Sequence, residues 1–351
     1  MANKEQTDHI VFARKYRPSS WKEVVGQDHV INVLINAIAQ DRVAHAYLFA
    51  GPRGTGKTTV ARILAKELKC ESEDIIEIDA ASSRGIDEAR ALRDAVRFLP
   101  MRSPKKVYII DEVHMLTKEA FNALLKTLEE PPEHAVFVLA TTEPEKVLDT
   151  IVSRTQHFTF HKISIPDIVK ELDRIAKAEE FEIADDALKF IAFLADGSLR
   201  DAENILLQVQ STGRKEISED DVRLMLGAPP EKATNVIMER ALKKETAQML
   251  EAFDETMRQG IDPQMLGKLM LRNFRAMYFL ALDPTTAALL SAEFSNEEIE
   301  KLKQYVNTVP DNRAQTLEHA VGHLLNALRM PTDDFLPQLP LELALIKIAT
   351  E

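Results

Sequence analysis

The sequence predicts an α/β domain with a mostly parallel sheet, followed by two all-helical domains. Up to about residue 160, short apolar runs alternate with helical patterns, and this alternation is typical of βαβ units. Beyond about residue 162 the strand signal disappears, and apolar residues recur at helical spacing. The low glycine count, 11 of 351 residues, also favours a helix-rich chain with few tight turns.

Four apolar runs are predicted to be strands of the sheet. Each run is short and almost continuously apolar, as strands covered on both faces must be. The runs are residues 46–50, 75–78, 107–110 and 136–140. Helical patterns lie between them at 58–68 and 118–129, and the prolines at 131 and 132 end the second helix.

Two boundaries divide the chain into predicted domains. The α/β domain is residues 1–161, a small helical domain is 162–228, and a second helical domain is 229–351. The segment LGAPP at 226–230 is typical of a linker between the last two.

Local signals predict two helix starts in the last domain. Asp262 followed by Pro263 offers an N-cap acid and a proline at the first helical position. Ser295 and Glu298 have the spacing of a capping box.

Composition excludes several classes of protein. A single cysteine, Cys70, excludes an internal disulfide and any all-cysteine zinc site. Residues 1–10 contain no apolar run, so no signal peptide is expected, and no stretch approaches the roughly 18 apolar residues of a membrane span. We therefore expect a cytoplasmic protein with no membrane contact. Because the formal net charge is −12, nucleic acid would have to bind at a local basic patch.

The segment GPRGTGKT at 51–58 matches the phosphate-loop pattern G-x-x-x-x-G-K-[ST] and lies between a predicted strand and a predicted helix. In such a loop Lys57 would reach the β- and γ-phosphates, and the hydroxyl of Thr58 would ligate Mg²⁺. A glycine-rich turn without a ligand is the alternative, and the strand and helix on either side argue against it. The residues expected to bind ATP here are Gly51, Pro52, Arg53, Gly54, Thr55, Gly56, Lys57, Thr58 and Thr59.

A second acidic element follows the predicted strand at 107–110. Asp111 would hold Mg²⁺, directly or through water, and Glu112 would act as general base on the attacking water. Two acids at a strand end are by themselves more often a helix cap. Downstream of a phosphate loop the catalytic interpretation is favoured, because phosphoryl transfer needs such an element.

Seven further segments carry a family likeness. The segments are ARKYRP at 13–18, VVGQ at 24–27, DEVHML at 111–116, FNALLKTLEEPPEH at 121–134, ATTEP at 140–144, SR at 153–154 and GSLRDA at 197–202. They resemble the ATPase (gamma/tau) subunits of bacterial DNA polymerase III clamp loaders, which belong to the AAA+ superfamily. The resemblance runs from about residue 11 to the C-terminus and is most specific before about residue 205.

The resemblance implies an AAA+ α/β domain, a helical lid and a helical collar through which subunits assemble. It also implies that ATP and Mg²⁺ are the cofactors. The adenine side of the nucleotide would be bound by residues near the N-terminus. These are Tyr16, Arg17, Val24 and Val25.

The resemblance assigns further roles to residues outside the phosphate loop. Thr142 would sense the γ-phosphate, Arg200 would touch the nucleotide from the lid, and Arg154 would reach the ATP of a neighbouring subunit in trans. Without the resemblance, Arg154 and Arg200 would each be interpreted as an ordinary surface or helix-cap charge. Arg84 and Lys118 are the residues expected to contact the DNA backbone.

The sequence departs from the family pattern in two places. The family carries a four-cysteine zinc module after the phosphate-loop helix, but here Cys70 is almost directly followed by a predicted strand, so no zinc is expected. Thr155 replaces the cysteine of the arginine-finger motif, and we expect ATPase function to survive because the arginine carries the charge. The long tail of tau-type subunits is expected to lie outside this sequence.

The sequence thus predicts a motor ATPase that opens a sliding clamp and loads it on primer–template DNA. Its expected partners are other clamp-loader subunits, including several copies of this chain joined through the collar. One alternative is another DNA-acting AAA+ protein, such as a branch-migration or fork-repair ATPase, which the segment 124–132 and the collar argue against. The other is a non-hydrolysing scaffold subunit, which the presence of Lys57, Thr58, Asp111 and Glu112 argues against.

Overall fold

The computed structural model describes residues 11–82, 92, 94–309, 312–331 and 335–350. These residues form two compact units. The first unit contains the described residues up to Ile168 together with Ala195–Leu207, and the second contains Val169–Leu194 and the described residues from Gln208 onward. The three-domain division predicted from the sequence stays a prediction.

A parallel sheet is the centre of the first unit. In the described part of the chain it has five strands in the order β2-β3-β4-β1-β5, and every neighbouring pair is parallel. The strands are β1 Ala46–Ala50, β2 Ile75–Asp79, β3 Lys106–Asp111, β4 Ala135–Thr141 and β5 Gln156–Thr159. The predicted α/β class and the four predicted strands are confirmed.

Helices account for most of the remaining described residues. In chain order they are α1 Phe12–Lys15, α2 Asp28–Ala39, α3 Lys57–Glu67, α4 Lys118–Glu129, α5 Asp149–Val152, α6 Ile165–Ala178, α7 Asp185–Leu194, α8 Leu199–Gln210, α9 Glu219–Leu226, α10 Glu231–Leu242, α11 Thr246–Arg258, α12 Pro263–Leu282, α13 Ala287–Leu290, α14 Asn296–Thr308, α15 Arg313–Arg329 and α16 Leu339–Thr350. None of these described helices combines the length and hydropathy needed to cross a lipid bilayer.

Both faces of the sheet are buried. Ile110 and Leu139 belong to the apolar cluster on one face, with side chains of α4, whereas Ile109 and Val138 belong to the cluster on the other face, with α2 and α3. Successive residues of a strand point to opposite faces, so a strand covered on both sides must be apolar at nearly every position. Each large apolar side chain that is fully buried contributes about 1.5–3 kcal/mol to the burial term.

The fifth strand is not among those predicted from the sequence. β5 lies at the edge of the sheet and pairs only with β1. Of its residues only Phe158 is buried. Without a continuous apolar run, an edge strand gives no signal that separates it from a loop.

The second unit is largely helical, and its core lies between α10 and α16. Leu266, Met270 and Phe274 of α12 pack in one cluster with Leu317 and Leu324 of α15. The unit also contains a short parallel pair, β6 Glu182–Ile183 with β7 Glu216–Ile217. The prediction that no strands follow residue 162 is therefore wrong at these positions, because two-residue strands are too short to show a period.

The predicted helix starts are confirmed. The side chain of Asp262 accepts a hydrogen bond of 3.0 Å from the backbone of Gln264, with Pro263 at the first helical position. Ser295 and Glu298 form a reciprocal capping box, with bonds of 3.2 Å and 2.6 Å. These caps satisfy backbone N–H groups that have no partner within the helix.

The connection between α3 and β2 is short and contains the 3-10 turn Ser72–Asp74. Cys70 is buried there, with its Sγ 3.2 Å from the carbonyl oxygen of Lys105. Burial, assisted by the charge of Asp74, raises the pKa of the Cys70 thiol to about 11. A thiol in that state is a poor nucleophile and a poor metal ligand at neutral pH. No group of three or more His, Cys, Asp or Glu side chains suited to a metal occurs among the described residues.

Asp74 holds this region together through backbone hydrogen bonds. Its carboxylate accepts one from Met101 (2.7 Å), one from Arg102 (3.0 Å) and one from Ser103 (3.0 Å). Burial acts to raise the pKa of Asp74, but these hydrogen bonds favour the charged form and together lower the pKa to about 2. The ionised carboxylate therefore fastens the segment before β3 to the start of β2.

We expect Asp74→Asn to destabilise the first unit at neutral pH. The folded-state pKa lies below the ordinary value of 3.8, so the stabilisation is present above that value and is lost as pH falls through about 2. Urea denaturation, followed by the fluorescence of Trp21, the single tryptophan, should show a lower midpoint for the variant at pH 7 and a smaller difference at low pH. Asp41→Asn, at an exposed aspartate, is the control. A difference from wild type that does not shrink with acid would contradict the charge-based account.

Candidate functional site

The sheet order brings three strand ends to one place. β1 and β3 both pair in parallel with β4. The loop 51–56 follows β1, Asp111 ends β3, and Thr141 ends β4. In a parallel sheet the carboxyl ends of neighbouring strands form a single edge, where ligands bind in α/β proteins. Segments distant in sequence therefore meet there.

Two glycines of the loop have no room for a side chain. A Cβ atom on Gly51 would lie 2.3 Å from the carbonyl oxygen of Phe160, and one on Gly54 would lie 1.9 Å from the hydroxyl of Ser198. Gly56, with a φ of 98°, is the residue that caps the start of α3. The loop thus packs closely on one side, and its shape depends on glycine.

Gln27 supports the same loop from the N-terminal segment. It is fully buried, and its amide nitrogen donates to the carbonyl oxygen of His161 at 2.8 Å and to that of Thr55 at 3.4 Å. Its amide oxygen accepts from the backbone of His161 at 3.2 Å. This glutamine therefore links the loop to the chain that follows β5.

Lys57 is a buried cation at the start of α3. Its side chain is only 6% exposed, and Nζ donates to the carbonyl oxygens of Gly51 and Pro52, at 2.8 Å each. Burial lowers the pKa of Lys57, while the charges of Glu112 and Asp111 act in the opposite direction. A partly desolvated ammonium group beside a helix N-terminus suits a phosphate anion.

Thr58 and Asp111 are in direct contact. The hydroxyl of Thr58 donates to Oδ2 of Asp111 at 2.6 Å, and Oδ1 of Asp111 accepts from the backbone of Glu112 at 3.0 Å. A hydroxyl and a carboxylate are the hard oxygen ligands that Mg²⁺ prefers beside phosphates. These two residues therefore fit the metal position that the sequence predicts.

Glu112 occupies a strained position next to this pair. Its φ is 49°, in the left-handed region that is unfavourable for residues other than glycine. The hydroxyl of Thr142 donates to Oε2 of Glu112 at 3.0 Å. The strain and the hydrogen bond together aim the carboxylate from the end of β3 towards the end of β4.

An open cleft lies over the loop and collects most of the predicted residues. It is lined by Ala13, Arg17, Pro18, Val24, Val25, Arg53, Gly54, Thr55, Gly56, Lys57, Thr58, Thr59, Asp111, Glu112, Ile163, Leu199, Arg200 and Glu203. Six of these residues are apolar and seven are charged, and such a mixed lining suits an apolar base together with charged phosphates.

Some predicted residues do not line the cleft. Gly51 and Pro52 contribute through the carbonyl groups that hold Lys57, and Thr142 contributes through its bond to Glu112. Tyr16 packs instead edge-on against Phe12, with ring centroids 5.7 Å apart.

Several lining residues were not predicted. Ile163, Leu199 and Glu203 face the cleft although they carry no phosphate-binding signature. Leu199 is placed by the hydrogen bond of 3.1 Å from its backbone N–H to the carbonyl oxygen of Gly54. Such apolar and acidic wall residues follow from the tertiary fold and have no local pattern.

Arg154 lies outside the lining of its own cleft. Its guanidinium pairs with Glu129 at 2.8 Å and donates to the carbonyl oxygen of Thr150 at 2.9 Å, and about a third of its side chain is exposed.

Lys118 is exposed at the first position of α4. Arg84 lies outside the described residues.

Comparisons with known proteins indicate the family. A family model described as "DNA polymerase III, delta subunit" matches residues 26–85 and 73–164. The chain is 41% identical over 314 residues to the DNA polymerase III subunit tau of Bacillus subtilis, covering 84% of this chain. It is 35% identical over 330 residues to the DNA polymerase III subunit gamma of Buchnera aphidicola, covering 88% of this chain and 90% of that relative. The chain belongs to the gamma/tau subunit family of DNA polymerase III.

The chain spans only about half the length of two of the tau subunits that it matches. The chain spans 56% of the tau subunit of Bacillus subtilis and 50% of that of Escherichia coli.

Among solved structures, the branch-migration motor RuvB of Thermotoga maritima is similar with a TM-score of 0.51 and 24% identity, over 64% of this chain and 79% of that chain. This likeness shows the fold alone, and the predicted AAA+ fold class is confirmed.

We expect Lys57→Ala to weaken the binding of Mg·ATP about 10- to 100-fold, because a charge-assisted contact to a desolvated phosphate contributes about 1.5–3 kcal/mol. Calorimetric titration with ATP and Mg²⁺ measures this directly. Lys66→Ala, at an exposed lysine of the same helix, is the matched control and should bind like wild type. Equal affinities for the two variants would remove Lys57 from the phosphate site.

Proposed function

We propose that this chain is an ATP-hydrolysing subunit of a clamp loader, which opens a ring-shaped sliding clamp and places it on primed DNA. The observation that carries the proposal is the contact of 2.6 Å between Thr58 and Asp111, with Lys57 and Glu112 in the same cleft. Gamma and tau subunits of DNA polymerase III at 35–41% identity support the replication role.

Each residue in and beside the cleft has a separate proposed role in phosphoryl transfer. Lys57 binds the β- and γ-phosphates, and Arg200 touches the nucleotide from α8. Thr58 and Asp111 hold Mg²⁺, which when bound neutralises developing phosphate charge. Glu112 accepts the proton of the attacking water, and Thr142 senses the γ-phosphate at the end of β4.

The adenine end of the nucleotide is assigned to the apolar part of the cleft. Val24, Val25, Ile163 and Leu199 are among its apolar lining residues, and Arg17 also lines the cleft. Burial of a flat aromatic base between aliphatic side chains supplies affinity without a charged partner.

A scaffold subunit that binds ATP without hydrolysing it is the alternative from another class. A scaffold would not need a complete set of hydrolytic residues. Lys57, Thr58, Asp111 and Glu112 all line the cleft, and Glu112 receives a hydrogen bond from Thr142. This favours the enzyme.

The partners of the proposed loader are further subunits, the clamp and DNA. Helices of the second unit expose several large apolar side chains, which are proposed to contact neighbouring subunits. They are Leu282, Leu289, Leu325, Leu339 and Leu343. Other loader subunits, with several copies of this chain, would assemble there. Lys118, and Arg84 outside the described residues, are proposed to contact the DNA backbone.

We expect Glu112→Gln to bind ATP as wild type does and to lose turnover by about 10²-fold or more, because the amide keeps the shape of the side chain but cannot accept the proton. Single-turnover hydrolysis with labelled ATP separates binding from chemistry. Glu119→Gln, at an exposed glutamate of α4, is the control. Turnover that survives in the Glu112 variant would mean that another group activates the water.

Arg154 is proposed to act on the ATP of a neighbouring subunit. Negative charge grows on the γ-phosphate oxygens during transfer, and an arginine supplied there is worth roughly 10³–10⁵ in rate. Arg154 does not line its own cleft, and its pair with Glu129 is about one-third to one-half exposed. Such exposed pairs are weak, so the guanidinium can exchange its partner for a phosphate at little cost.

A mixing experiment distinguishes action in trans from action in cis. Arg154→Ala and Lys57→Ala subunits should each be nearly inactive alone, for different reasons. When they are mixed, some neighbouring pairs combine an intact phosphate loop with an intact arginine, so hydrolysis should partly return. If no activity returns although subunit exchange is demonstrated, the assignment in trans is wrong.

A further inference from the structure

His114 lies directly behind the proposed general base. It belongs to the 3-10 turn Val113–Met115 that follows Glu112, and its side chain is only 7% exposed. It is not among the residues that line the cleft. A histidine in this position can influence a reaction only through the residues that it touches.

Both ring nitrogens of His114 face polar atoms. Nδ1 lies 3.0 Å from the hydroxyl oxygen of Thr141 and 3.5 Å from Oε2 of Glu112. Nε2 lies 3.4 Å from Oε2 of Glu143. The hydroxyl oxygen of Thr141 also accepts a hydrogen bond of 3.0 Å from the backbone of Glu143. The imidazole therefore spans the gap between the end of β3 and the end of β4.

These contacts act on one oxygen of the Glu112 carboxylate. Oε2 accepts from the hydroxyl of Thr142 at 3.0 Å and is the atom that faces Nδ1 of His114. Among the described residues, Oε1 has no hydrogen-bond partner. One oxygen is thus fixed by the protein, and the other is left to interact with water.

The backbone conformation of Glu112 is one that residues other than glycine adopt infrequently. Because Glu112 has a φ of 49°, its side chain starts from a conformation that the local sequence does not favour. A buried imidazole, itself held by Thr141, limits the rotation of the carboxylate. Groups behind a reacting residue commonly set its orientation in this way.

We propose that His114 is a positioning residue: Thr141 holds its ring through Nδ1, the ring lies 3.5 Å from Oε2 of Glu112, and it thereby ties the orientation of that carboxylate to Thr141–Glu143 at the end of β4. The inference rests on the proposed function, which makes Glu112 the general base. The same strand end carries Thr142, so the orientation of the base depends on the residue that would sense the γ-phosphate.

Two amide substitutions separate the two sides of the ring. The side-chain amide of asparagine lies close to the position of Nδ1, and that of glutamine lies close to the position of Nε2. His114→Asn keeps a polar group for Thr141 and Glu112, whereas His114→Gln keeps one only for Glu143. His114→Phe removes both and retains the ring shape.

ATP turnover by the assembled loader, supplied with clamp and primed DNA, is the readout. We expect His114→Gln and His114→Phe to lower kcat about 10-fold or more with an unchanged KM for ATP, and His114→Asn to restore most of kcat. His134→Phe removes a half-buried imidazole elsewhere, whose Nε2 lies 3.0 Å from the carbonyl oxygen of Val96, and should leave kcat unchanged.

The fluorescence of Trp21 shows whether His114→Phe folds. If this variant does not fold, the comparison of His114→Asn with His114→Gln still tests the proposal. Equal kcat values for the asparagine and glutamine variants, in an enzyme that Glu112→Gln inactivates, overturn the role of His114 alone. Turnover that survives Glu112→Gln overturns the assignment of the base instead, and with it this inference.

Discussion

The parallel pairing of β3, β4 and β1 is the constraint on which the candidate site depends. β4 lies between the other two strands, so the phosphate loop after β1 and the carboxylates after β3 are placed on either side of Thr141 and Thr142. The bond of 2.6 Å between Thr58 and Asp111 joins residues 53 positions apart. This bond forms because the sheet fixes the ends of β1 and β3. Without the sheet, neither segment would keep the other in place.

Burial of both faces of the sheet makes this edge rigid. Apolar side chains fill the space on either side, from Ile109 and Val138 towards α2 and α3 and from Ile110 and Leu139 towards α4. A close-packed core transmits small displacements instead of absorbing them. Strain at Glu112 is tolerated there, because the surrounding strand ends and Thr142 over-determine its position.

The parts of the molecule that have strong local signals are predictable from the sequence. The buried strands appear as apolar runs, the loop appears as glycines before Lys57, and Asp262 and Ser295 mark helix starts. β5 was not predicted because only Phe158 of that edge strand is buried. The wall residues Ile163 and Glu203, and the contacts of His114 with Thr141 and Glu143, arise from tertiary packing, which no short pattern encodes. The roles of the individual site residues stay predictions.

The proposed function requires this edge of the sheet to hydrolyse ATP in response to the clamp and DNA. The most direct measurement is the steady-state rate of ATP hydrolysis by the assembled loader, with sliding clamp and primed DNA supplied separately and together. We expect low hydrolysis by the loader alone and the highest rate when both are present, falling as salt screens the DNA contacts. Absence of hydrolysis, or a rate that neither clamp nor DNA changes, would contradict it.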